Sequence, residues 1–318
     1  MAVVREITTA AGTALPVYES WAVRRCRYMP EGGGRGRICL VSGIHGDETL
    51  GQLVIFNVVQ RIMAQPEHLR GIADMYPMLN PLGLDIGERM VPVGTRLDMT
   101  RSFPGSGDGT PLERTCRRLI DDMAGADLVI DIHSGTQLKH ELFEVRLSAQ
   151  DPGPLAALAQ HLQPDVIWFY PDSVACEASL SGALCSMGTP ALLLQADEHG
   201  QAAKQAADRA AEGILRLMKH MGLWTGDVIS APQADIPCIR TEEEVARVTC
   251  SKPGMYVPEG CIGTHVAKGQ LLGRIIDAVE GAVSEEIVSP CAGLVFSQRS
   301  YSPVYPGTLI ARIHAQGE

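Results

Sequence analysis

Between Val41 and Trp224 apolar runs alternate with segments whose apolar positions recur every three to four residues. That is the pattern of a mostly parallel sheet with helices on its faces. Five runs are strand candidates: Arg37 to Gly43 (RICLVSG), Ala73 to Leu79 (ADMYPML), Ala126 to His133 (ADLVIDIH), Val166 to Tyr170 (VIWFY) and Pro190 to Ala196 (PALLLQA). Each is short, apolar at consecutive positions and bounded by Gly, Pro or polar residues, as strands covered on both faces are. Helices are expected at Leu50 to Met63, at Leu112 to Met123 and at the Ala-rich Gln201 to Gly222. In the last, Ala207, Ala211, Ile214 and Met218 share one face, and Gly222 is a natural stop. The apolar faces of the first and last helices read as core, or as packing surface in a homo-oligomer.

The pattern changes around Gly226 to Glu244, which is polar and contains Pro, Asp and Thr. Short apolar runs follow, punctuated by Gly and Pro every eight to twelve residues, as in an all-β unit. The expected organisation is therefore an α/β domain over residues 1–245, with a mixed sheet flanked by helices, and a smaller β-rich domain over 246–318. The latter has two halves, each strand, turn, strand, with Gly254, Gly260, Gly269, Gly273, Gly293 and Gly307 at the corners. It resembles the barrel-sandwich hybrid of biotinyl and lipoyl carrier domains. Its SPCAG tip lacks the Lys that carries their cofactor, so a structural module is expected.

The balance of 27 basic against 37 acidic residues, a net charge of -10, opposes nucleic acid or an anionic membrane as partner. Aromatic residues are 5%, too few for base-stacking platforms. Nine cysteines, none in a CxxC pair, read as buried thiols of a reducing compartment. With no signal-like start and no run of about 18 apolar residues, the cytoplasm is the expected location and a small molecule the expected partner.

Two motifs carry candidate chemistry. GIHGDE, Gly43 to Glu48, follows the Cys39-Leu40-Val41 run; His45 and Glu48 stand three apart on a turn entering a helix, a spacing at which imidazole and carboxylate converge on one cation. HxxE alone describes a surface loop more often than a metal site, but ligand sites in open α/β sheets lie just past the carboxyl ends of strands, where this His stands. DIHSG places His133 at another predicted strand end. Together His45, Glu48 and His133 would supply the three protein ligands of a catalytic zinc site, with one position open for water.

GIHGDE, NPLGLDIGERMVPVGTRLDMTRSFPG, DIHSG and TPALLLQADEHG, in this order, resemble the succinylglutamate desuccinylase/aspartoacylase family, relatives of the zinc carboxypeptidases. The resemblance implies a zinc-carboxypeptidase-like fold, one Zn²⁺ per chain held by His45, Glu48 and His133, and hydrolysis of the amide of an N-acyl amino acid or another small acylated amine. It places Arg101, in DMTRSFPG, where the family has an Asn-Arg pair that grips a substrate carboxylate; Thr100 stands at the Asn position. Arg89, with Arg96 as a rival, corresponds to the Arg that polarises the scissile carbonyl. The family's general base, a Glu at a late strand end, falls on Gln195, which cannot exchange a proton. Glu198, three residues on, is the candidate in its place, with Asp197 a competitor and His199 a weaker one. The expected activity is a zinc-dependent deacylase. The alternatives are a zinc carboxypeptidase on short peptides and a catalytically weak ligand-binding relative.

Overall fold

The computed structural model describes residues 2–16, 20–93, 97–135, 138–148, 152–170, 179–196, 201–229 and 238–316. In chain order, β1 (Val3–Ala14), β2 (Ser20–Pro30) and β3 (Arg37–Ser42) precede α1 (Leu50–Ala64), β4 (Ile72–Tyr76) and α2 (Pro81–Ile86). Then come α3 (Pro111–Met123), β5 (Leu128–Ser134), β6 (Lys139–Glu141), β7 (Glu144–Ser148), α4 (Pro152–Gln160) and β8 (Val166–Tyr170). After them lie α5 (Leu180–Ser186), β9 (Ala191–Ala196), α6 (Gln201–His220) and β10 (Cys238–Thr241). The C-terminal strands are β11 (Val245–Thr249), β12 (Gly254–Pro258), β13 (His265–Val266), β14 (Leu271–Asp277), β15 (Ala282–Val288), β16 (Gly293–Arg299), β17 (Ser302–Val304) and β18 (Leu309–Ala315).

Nine strands form one sheet in the order β1-β2-β4-β3-β5-β9-β7-β8-β10. All five predicted runs are strands in it. The run at Ala73 stops at Tyr76 because Pro77 has no N–H for the ladder. The centre is parallel, but β1 pairs antiparallel with β2, β2 with β4, and β7 with β9. The sheet is therefore mixed, and it is wider than the apolar runs alone suggest.

Consecutive residues of the central strands face opposite layers. Ile38, Leu40, Ile130, Leu192 and Leu194 pack with Val54 and Val58 of α1, Ala159 of α4, and Ile214 and Met218 of α6. Cys39, Val41 and Val129 face the other layer, with Leu119 and Ile120 of α3 and Leu180 and Leu184 of α5. On this second face the β7–β8 end of the sheet meets the C-terminal strands, where Val166 and Trp168 pack with Val245 and Phe296.

The C-terminal strands form two antiparallel sheets, β11-β18-β16-β13 and β15-β14-β12-β17, around Tyr256, Leu272, Ile275, Val295 and Ile313. The first also takes in β6, which pairs with β16. No described helix is long and apolar enough to cross a membrane. Cys26, Cys39, Cys116, Cys185, Cys250, Cys261 and Cys291 are free thiols.

Candidate metal centre

The two motif loops meet because β3 and β5 are neighbours, with Ser42 in register with Ile132. Gly43 turns the chain out of β3 at φ +68, a left-handed conformation that favours Gly. The GIHGDE loop then passes tightly over α2: a Cβ on Gly46 would lie 2.1 Å from the Gly83 carbonyl carbon. α2 is itself fixed at its start by Asn80, whose Oδ1 accepts from Gly83 N at 2.9 Å. The Asn80 amide also donates to Met90 O at 3.3 Å, which pins the stretch carrying Arg89.

His45, Glu48 and His133 are all buried, and one ligand atom from each lies within 4.8 Å of the others. Glu48 bridges the two imidazoles: His45 Nδ1 is 2.7 Å from Oε1 and His133 Nδ1 is 2.9 Å from Oε2. Ser134 N donates to Oε2 at 3.2 Å and Arg89 donates to Oε1 at 2.7 Å. Burial opposes the charge on Glu48, but His133 and His45 outweigh it and hold the carboxyl well below its usual range.

Behind each imidazole stands a second carboxylate. His45 Nε2 is 3.2 Å from Asp98 Oδ1, and His133 Nε2 is 3.2 Å from Asp131 Oδ2. The second contact is close enough for an ion pair, though it is not aligned as a hydrogen bond. Burial opposes the charge on His133, but Asp131 and Glu48 raise its pKa to about 10. Thr100 donates to Asp98 Oδ1 through its hydroxyl at 2.6 Å and its backbone N–H at 3.0 Å. Burial works against the Asp98 charge, and the bonds from His45 and Thr100 nevertheless keep its pKa below the usual carboxylate range.

Two imidazoles that present Nδ1 to one carboxylate, each with Nε2 against a further carboxylate, match the way proteins orient metal-ligating histidines. The donor set of two nitrogens and a carboxylate fits a divalent transition metal. Asp98 and Asp131 are not among the residues that the motifs point to. Their signal was present: Asp131 precedes His133 by two on a strand, so both face one side, and Asp98 opens the DMTRSFPG motif.

The succinylglutamate desuccinylase/aspartoacylase catalytic-domain family model matches residues 35–221, a span that contains every one of these residues. The chain belongs to this family. Its fold is that of solved relatives. A succinylglutamate desuccinylase/aspartoacylase from Rhodobacter sphaeroides is 20% identical, with 99% of this chain and 96% of that one covered and a TM-score of 0.83. The product-bound ectoine utilization protein EutE (DoeB) from Ruegeria pomeroyi is 21% identical, with 99% and 95% covered and a TM-score of 0.80. A metallo-carboxypeptidase from Burkholderia cenocepacia is 15% identical, with 68% and 64% covered and a TM-score of 0.55. No protein of curated function matches the chain.

The family's remaining positions divide. Arg101 is mostly exposed, its Nε 3.9 Å from Asp98 Oδ2, and it lines a cleft of about 460 Å³ with Phe103, Ser106 and Glu113. Gln195 lies on β9 in register with His133, buried, on the same face of the sheet as that histidine. Glu198, Asp197, His199 and Arg96 lie outside the described residues.

Proposed function

We propose that the chain is a zinc-dependent hydrolase that cleaves the amide bond of a small N-acyl amino acid or a related acylated amine, with one Zn²⁺ on His45, Glu48 and His133. The observation that carries this reading is the buried His-Glu-His cluster at two adjacent strand ends in a chain of this family. When bound there, zinc supplies Lewis-acid polarisation of the acyl carbonyl and a more acidic attacking water. Asp98 and Asp131 hold the imidazoles in orientation. Glu198, close in sequence to the end of β9, takes the proton from the attacking water and hands it to the leaving nitrogen. Arg89 turns from Glu48 to the oxygen on which charge develops, while Arg101 anchors a carboxylate of the amine half. Residues 1–245 form the catalytic domain and 246–318 the β-rich domain, and we place the protein in the cytoplasm.

The test is hydrolysis of N-acyl amino acids beside matched dipeptides by the zinc-loaded protein and by His45→Ala. Release of free amino acid from the acyl compounds, absent in the variant, is expected; equal rates in both proteins would overturn the reading. Gln195 favours one rival, a catalytically weak relative that binds without turnover. Metal bound with no hydrolysis, and activity gained by Gln195→Glu, would establish that rival.

A further inference from the structure

One buried acid on the metal-bearing face has no part in the centre itself. His133 is in register with Gln195 of β9, and Gln195 with Glu144 of β7. Ladder partners project from the same side of a sheet, so the three side chains form one row. With strands about 4.8 Å apart, Glu144 stands roughly 10 Å along that row from the His133 backbone, the breadth of a small amino acid.

Glu144 is fully buried. Its Oε1 accepts from Nε of Arg146, while its Oε2 has no hydrogen-bond partner. The neighbouring charges do not supply one. Arg146 also donates to Glu141 Oε1 at 3.0 Å, and Lys139 and Arg312 reach that same Glu141 oxygen at 2.7 and 3.6 Å. Three cations thus converge on Glu141, and Glu144 keeps one oxygen over. A buried carboxylate oxygen without a donor is costly to fold around, and burial accordingly pushes the Glu144 carboxyl up.

We propose that Glu144 is a specificity-determining residue whose Oε2 accepts a hydrogen bond from a nitrogen at the far end of the substrate's amine half, an ammonium or an amide. The inference rests on the hydrolase reading above. The row runs from His133 across Gln195 to Glu144, so an amine half that lies along it from the His-Glu-His cluster extends toward β7. A substrate with a carboxylate in that position meets a buried carboxylate and is rejected by like charge.

The experiment compares Nα-acetyl-ornithine, Nα-acetyl-glutamine, Nα-acetyl-norvaline and Nα-acetyl-glutamate with the zinc-loaded wild type and with Glu144→Gln. Calorimetric binding of the four free amino acids accompanies the kinetics. Expected are kcat/KM values for the ornithine and glutamine compounds at least tenfold above those for norvaline and glutamate, and the same order in binding. In Glu144→Gln the ornithine preference over norvaline collapses, with the change carried by KM. The proposal is overturned if wild-type protein prefers norvaline or glutamate, or if the variant shifts all four compounds by one common factor. If nothing is hydrolysed, the hydrolase reading fails, and the wild-type binding order still decides for or against Glu144 even where the variant does not fold.

Discussion

His45 and His133 matter less as isolated histidines than as the middle members of two relays, carboxylate to imidazole to Glu48. Metal affinity should therefore depend on residues that never touch the metal. Asp131→Asn is expected to weaken zinc binding by roughly 10- to 100-fold while the fold is retained, because the imidazole loses the charge that orients it and raises its basicity. A competition titration against a chromophoric chelator checks this; unchanged affinity would mean that the 3.2 Å Asp131–His133 contact is incidental. The His45, Glu48 and His133 cluster was legible because its motifs sit at strand ends. The outer carboxylates were less so, since no single spacing marks Asp98 as a partner of a His 53 positions away. Glu144 was invisible for a related reason: its neighbours in the row come from β9 and β5, and only the ladder register brings them together.

The elements that place these residues owe much to close backbone approach. The GIHGDE loop lies against α2 so tightly that Gly46→Ala would drive a methyl group into the Gly83 carbonyl carbon, Leu84 N at 2.4 Å and Glu88 O at 2.5 Å. None of these is the end of a flexible side chain. The expected result is a loss of about 1–3 kcal/mol in thermal or denaturant unfolding, together with weaker metal binding as His45 and Glu48 are displaced. Wild-type metal affinity in this variant would show that loop and helix yield without disturbing the ligands. The largely apolar central strands were readable from the chain alone. The β1–β2 hairpin was not, because its period-two pattern, with Trp21 and Val23 buried, is interrupted on that face by Arg25 and Arg27. The charged strand β7 escaped for the same reason, and its antiparallel entry beside β9 adds to the mixed character that β1 and β2 already give the sheet.

Across the whole molecule, the C-terminal strands are built onto the face of the sheet that carries His133. β6, from before residue 245, pairs with β16, and the Trp168 ring has the Arg146 and Arg312 guanidiniums 5.5 and 5.1 Å from its centre, with Phe296 edge-on at 5.7 Å. Phe296→Ala should thus cost about 3–5 kcal/mol and lower the midpoint of a single unfolding transition read by both calorimetry and Trp fluorescence. Two separate transitions in the wild type would show that the C-terminal sheets fold on their own. The composition change near residue 226 announced a second unit, but nothing in it announced that β6 would cross between the two. The account as a whole stands on the metal, and the most direct measurement is metal content by elemental analysis of zinc-supplied, dialysed wild type beside Glu48→Ala and His133→Ala. About one zinc per chain in the wild type, lost in both variants, is the predicted result. No bound metal in the wild type, or the same content in all three proteins, would contradict it.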